Sequence, residues 1–211
     1  MEIMKPMDIE AKSFEIIGRE LEGRVFEKQY EPVIKRVIHT TADFEYADNL
    51  CFSEDVGNRA ITFLKKGVCI VTDTQMAMSG INKAALNRLG CEVRCFMSDE
   101  DVAGQAAEEG ITRAAVSMRK AALIEKPLII AVGNAPTALM ELDRLIEEGR
   151  ILPELIIGVP VGFVNVVESK ELIMKRDIPF IVARGRKGGS NVAAAIVNAL
   201  LYMASPRGAN Q

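Results

Sequence analysis

The chain has 211 residues, about half of them hydrophobic and about a quarter charged, so it can bury a core and is not a disordered tail. Its 26 basic and 29 acidic residues leave a formal charge of −3, which gives no basic excess for a nucleic-acid backbone. Tryptophan is absent and aromatics are scarce, which argues against a platform for stacking bases, so no nucleic-acid partner is expected.

The first third reads as helical. Ile9, Ser13, Ile16, Ile17 and Leu21 recur near the helical period, with Asp8 placed to cap the start and Gly23 to stop it. A second helix is predicted from Glu31 to His39, with Pro32 in its first turn and Ile34, Val37 and Ile38 inward. A third is predicted from Ser53 to Lys66, with Glu54 and Asp55 in its first turn and Gly67 behind it.

The pattern then changes to short apolar runs, predicted as strands: 68–72, 92–97, 128–132, 155–159 and 180–183. The segments between them are long enough for crossover helices, so these five runs predict βαβ units and a parallel sheet. One such helix spans Ala135 to Glu148 and opens on Pro136. The last opens at Gly189-Ser190 and carries Val192, Ile196, Ala199, Leu200 and Met203 on one stripe. The longest apolar stretch, from Leu155 to Val167, is broken by Gly158, Pro160, Gly162 and Asn165, too short and interrupted to span a bilayer. The N-terminus, Met1 to Glu10, is polar and acidic. No membrane partner is expected, and the cytoplasm is the expected compartment.

Ligands of open α/β sheets gather outside the carboxyl ends of the strands. Here those ends are rich in Gly, Asn, Thr, Ser and Arg. His39, the one histidine, ends its helix; a capping or core histidine is the plain reading, a proton donor the sharper one. Arg36 lies three residues earlier and shares its face. Gly188-Gly189-Ser190 opens a helix after a strand, where free N–H groups can hold a carboxylate, with Arg184, Arg186 and Lys187 beside it. Gly133 to Thr137 lacks the GxxxxGK[ST] pattern of a phosphate loop, and Ser79 is not in a GxSxG elbow. Asp73, at a strand end, is either a catalytic carboxylate or a helix cap. The four cysteines form no CxxC and, with one histidine, give few zinc ligands, so no metal site is expected and the thiols read as buried.

Five strings carry a family resemblance: Ile38-His-Thr-Thr41, Thr72-Asp73 through Gly80, Gly133-Asn-Ala-Pro-Thr-Ala-Leu139, Gly158-Val-Pro-Val-Gly-Phe-Val164 with Glu168-Ser-Lys170, and Arg184-Gly-Arg-Lys-Gly-Gly-Ser190. In this order they resemble the precorrin-8X methylmutases, from about Ser13 to Leu201. The resemblance implies a single domain over 1–211. Its α/β fold would be a doubly wound, mostly parallel five-stranded sheet, flavodoxin-like, with a helical segment 1–66 packed on a core 67–205. It implies an isomerase of cobalamin biosynthesis that moves a methyl group between neighbouring ring carbons of precorrin-8X or cobalt-precorrin-8. No cofactor is implied, since substrate and product are isomers. The implied partners are the tetrapyrrole substrate and a second copy of the chain. The family's catalytic histidine falls on His39. Ser13, Arg36 and Arg113 fall on positions that contact substrate, and Gly80, Asn134, Arg184, Arg186, Gly189 and Ser190 are expected to border it. A corrinoid carrier without chemistry, and a phosphate- or nucleotide-dependent enzyme of the same fold, are the competing readings.

Overall fold

The computed structural model describes residues 6–206, with side chains from residue 8 on; the ends of the expected domain, 1–5 and 207–211, lie outside the described residues. The N-terminal third folds as α1 (Pro6–Glu20), α2 (Glu31–Thr41), α3 (Tyr46–Asn49), β1 (Leu50–Phe52) and α4 (Val56–Lys65). The alternating part follows as β2 (Cys69–Thr72), α5 (Gln75–Gly80), α6 (Lys83–Arg88), β3 (Glu92–Arg94), α7 (Glu100–Glu109), α8 (Arg113–Ala121), β4 (Leu128–Val132), α9 (Pro136–Glu147), β5 (Leu155–Gly158), α10 (Val166–Met174), β6 (Phe180–Ala183) and α11 (Ser190–Ala204). Among the described residues no helix is long and apolar enough to cross a membrane.

The six strands form one sheet in the order β1-β6-β5-β4-β2-β3. All neighbours are parallel except β1, which runs antiparallel to β6 with Leu50 opposite Ala183. Without β1, the five parallel strands have the flavodoxin-like order that the resemblance implies. The order reverses between β2 and β4, so the loops after these strands diverge and leave room at their carboxyl ends.

Side chains alternate between two cores. Ile70, Ile129, Ile157 and Ile181 point into a layer with α1, α2, α4, α5, α6 and α11; Val71, Ile130, Ile156 and Val182 point into one with α7, α8, α9 and α10. Burial on both faces is why these strands read as unbroken apolar runs. Helix α11 carries ten buried residues and lies against α2 and α4, which joins the N-terminal helices to the sheet.

Three expectations change. The sheet has a sixth strand. Ser53 extends the β1 pairing instead of opening a helix: its N–H donates to Phe180 O at 3.1 Å and its hydroxyl accepts from Phe180 N at 2.9 Å. Helix α4 therefore begins at Val56, after Asp55 in a left-handed turn. Ile17 of α1 and Leu21 just after it are buried, but Ile9 and Ile16 are 51% and 44% exposed, so the expected stripe faces outward in part.

Candidate active site

The strand ends are held by a buried carboxylate. Asp73 is fully buried after β2, and its oxygens accept from Gly133 N (2.8 Å), Asn134 N (2.8 Å) and Ala135 N (2.7 Å). Burial pushes this carboxyl up from its ordinary value, and the three N–H donors oppose the shift. Asp73 therefore fixes the loop after β4 across the switch point. The cap of α5 is Thr74, whose hydroxyl accepts from Ala77 N at 3.1 Å. The same hydroxyl lies 2.8 Å from the Ser190 hydroxyl at the start of α11.

Two glycines let these loops close on one another. A Cβ on Gly133 would sit 2.7 Å from Ser190 Cα and 2.8 Å from Gly189 O. A Cβ on Gly188 would sit 2.1 Å from Val159 O. Gly189 donates to Val159 O at 2.9 Å and adopts φ 140°, a conformation that favours glycine. The loops after β2, β4, β5 and β6 thus form one tight rim that brings Asn134 and Ser190 to the surface around a buried Gly189.

His39 lies in the last turn of α2. Pro32 starts that helix, and it ends at Ala42 in the left-handed conformation, whose N–H bonds Ile38 O at 2.7 Å. The imidazole is exposed and stacks on Phe14 of α1, with centroids 5.1 Å apart and planes at 9°. Arg36, one turn back, lies over the Phe14 ring at 4.6 Å and the Tyr202 ring at 5.2 Å, and pairs with Glu10 at 2.6 Å. Ser13 neighbours Phe14 on α1, and its hydroxyl donates to Ile9 O at 2.9 Å. A groove of about 250 Å³ opens between α2, α5 and α11, lined by Arg36, Thr40, Gly80, Asn191, Asn198 and Tyr202 among others. Asn198 ties its floor: its amide donates to Gly80 O at 2.9 Å, and its oxygen accepts from Asn82 N at 2.8 Å.

The basic positions are spread more widely. Arg113 opens α8, is exposed, and has no partner among the described residues. Thr112 beside it bonds Thr137 at 2.8 Å, which places that helix start against the loop of Asn134. Arg186 lies over the Phe163 ring at 5.5 Å, on a loop that exposes Phe163 (83%) and Val164 (77%). Arg184 turns to α10 on the other layer and pairs with Glu171 at 3.2 Å. Lys187 reaches back to Asp43 (2.5 Å) and Glu45 (2.9 Å), just after the His39 helix. Of the residues expected at the site, Arg36 and Gly80 line the groove, whereas His39 and Ser13 do not: His39 stacks on Phe14 and precedes the lining Thr40, and the Ser13 hydroxyl turns to Ile9 O. Asn134, Gly189 and Ser190 form the rim with Arg113 behind it, and the Arg184 side chain stands apart.

Sequence reading missed Phe14, Glu10, Tyr202, Asn198 and the Lys187–Asp43 pair, all partners brought from distant segments. It gave no role to Lys170 of α10, which is 1% exposed and donates to Gly185 O (2.7 Å) and Lys187 O (2.8 Å). Its burial pulls the ammonium pKa down to about 8. A larger hollow of about 510 Å³ lies on the other layer beside Arg119, Lys120, Arg144 and Arg150, but each of these cations already holds a carboxylate.

Known proteins resemble this chain over most of its length. The cobalt-precorrin-8 methylmutase of Salmonella typhimurium is 48% identical over 206 residues, 95% of this chain and 96% of the relative. That of Priestia megaterium is 45% identical over 201 residues, 95% of this chain and 89% of the relative. The crystal structure of a precorrin-8X methylmutase from Thermus thermophilus superposes with a TM-score of 0.85 at 36% identity, covering 93% of this chain and 96% of that one. The family model described as precorrin-8X methylmutase matches residues 8–203, so the chain belongs to the precorrin-8X methylmutase family.

Proposed function

We propose that the chain is an isomerase of cobalamin biosynthesis that moves a methyl group from ring carbon 11 to ring carbon 12 of a corrin precursor. His39 is the acid–base group. The observation that carries this role is the placement of the one histidine: an exposed imidazole, held by its stack on Phe14, on the helix whose Arg36 and Thr40 line the groove between α2, α5 and α11. A histidine exchanges a proton near neutral pH, which suits the protonation, or tautomer change, that readies the ring for migration.

The remaining residues bind and orient. Arg36, Arg113 and Arg186 supply cations for the acid side chains of a corrinoid, and the N–H groups in the first turn of α11, from Ser190 onward, supply its positive end, the Gly189 N–H being spent on Val159 O. Ser13, Gly80 and Asn134 border the ring. Arg36 takes a substrate carboxylate in exchange for Glu10. Holding the macrocycle where the migrating methyl faces its target carbon is an orientation effect, worth several kcal/mol in such reactions. The close relatives named above act on cobalt-precorrin-8, so the cobalt-bound form is the proposed substrate.

The groove is smaller than the roughly 300–1,000 Å³ usual for drug-sized ligands, so it takes one part of a corrinoid. Ile9 and Ile16 of α1 and Phe163 of the loop after β5 are exposed apolar surface. Both facts support a homodimer whose second copy helps enclose the ring. The cytoplasm is the proposed compartment.

The test is spectral conversion of cobalt-precorrin-8 and of precorrin-8X by purified protein, since the methyl shift changes the chromophore and leaves the mass unchanged. His39→Ala is expected to lose about 10²- to 10⁴-fold in turnover and to keep binding. Normal turnover by that variant would remove His39 from the mechanism; binding without conversion by the wild type would favour a carrier.

A further inference from the structure

We propose that Lys187 and Lys170 are positioning residues for His39, coupling the β6–α11 loop to the helix end that carries the imidazole. The inference rests on the acid–base reading of His39.

The α2 terminus is not self-sufficient. Ala42 adopts the left-handed conformation (φ 54°), which is costly for a residue with a side chain. Thr41 turns its hydroxyl back to Val37 O at 2.9 Å and accepts from Asp43 N at 3.3 Å. Asp43 in turn accepts from Glu45 N at 3.0 Å. The turn is thus folded around Asp43, and what holds Asp43 from outside is the Lys187 ammonium, shared with Glu45. Lys187 in its turn is aimed by its own backbone. Its carbonyl and that of Gly185 are the two acceptors of Lys170, whose ammonium is enclosed without a carboxylate partner among the described residues. A buried lysine that serves two loop carbonyls fixes the direction of that loop, at a desolvation cost that a surface lysine would not bear. The contacts therefore run from α10 through Gly185 and Lys187 to Asp43 and the last turn of α2. The same loop continues into Gly189 and Ser190. One device thereby sets the spacing between the proton-handling group and the anion-binding helix start.

The chain's single histidine makes the test direct, because imidazole NMR signals need no assignment among rivals. The proteins compared are wild type, Lys187→Met, Lys187→Arg, Asp43→Asn, the double variant Lys187→Met/Asp43→Asn, and Lys170→Met. Loss of Lys187 is expected to weaken the Phe14–His39 ring cross-peak at least about threefold. It should lower kcat on cobalt-precorrin-8 about 10-fold, with KM within about twofold, a loss of the size that small misplacements of reacting groups produce. Lys187→Arg is expected to keep both signals, and the double variant to be no worse than Lys187→Met alone. A folded Lys187→Met with unchanged imidazole signals and kcat overturns the proposal, as does a double variant whose loss is the product of the two single losses. The surface variants decide the matter if Lys170→Met does not fold. The NMR arm needs no substrate: a wild type that fails to turn over, together with a displaced imidazole in Lys187→Met, would defeat the activity reading and leave the coupling standing.

Discussion

Replacing Asp73 by Asn sets two large effects against each other. The carboxylate accepts three backbone N–H bonds of 2.7–2.8 Å in a fully buried position. The isosteric amide keeps one acceptor oxygen. Its best orientation leaves that oxygen on Asn134 N and Ala135 N and turns the NH₂ toward Gly133 N, a donor facing a donor. One orphaned buried donor costs about 1–3 kcal/mol, and the two retained bonds lose charge assistance of about 1 kcal/mol each. Against this, the amide is spared the desolvation that pushes the Asp73 carboxyl up. With three donors converging on one group, the hydrogen-bond side wins, and Asp73→Asn is expected to be destabilised by about 3 kcal/mol. For a chain of this length that lowers the thermal midpoint by about 6–12 °C. Calorimetry of both proteins at pH 7 reads it. A variant that melts within about 2 °C of wild type, or above it, would mean that burying the charge costs as much as its bonds return.

Gly133→Ala places a methyl group 2.7 Å from Ser190 Cα, with backbone on both sides; a loss of about 1–3 kcal/mol is expected by urea denaturation, together with reduced turnover because the rim must open. Lys170 gives a pH signature. Its folded pKa of about 8 lies below the free value of 10.5, so between these pH values the unfolded chain binds the extra proton and stability rises with pH. Relative to Lys170→Met, wild type is expected to gain about 3 kcal/mol between pH 7.5 and 10.5. A flat difference between the two urea midpoints across that window would refute it.

The parallel strands were legible because they are buried on both faces, so Leu128–Val132 shows as an uninterrupted apolar run. β1 was not, since three residues carry no periodicity and their partner β6 lies far along the chain. The acids at Glu54 and Asp55 imitate a helix start, and only the Ser53 bonds to Phe180 show that the strand pairing runs on. At the site, the shared face of Arg36 and His39 follows from helical spacing alone. Their neighbours Glu10, Phe14 and Tyr202 come from helices whose contact no local pattern announces. The direction of Arg184, by contrast, was readable in principle. Phe180 and Val182 face the α10 layer, and the period of two carries Arg184 to the same side, where Glu171 waits.

The pairing of Leu50 with Ala183 also has a temporal meaning. A ribosome delivers residue 50 well over a hundred residues before its strand partner, and α2 appears long before α11, against which it packs. Through most of synthesis the N-terminal helices have no sheet edge or C-terminal helix to dock on. The α2 and α11 walls of the groove can therefore come together only when the chain is nearly finished. Chains cut before α11 lack one wall of the groove, and the exposed apolar sides of α2 and α4 are the surfaces that a chaperone would have to shield in the meantime.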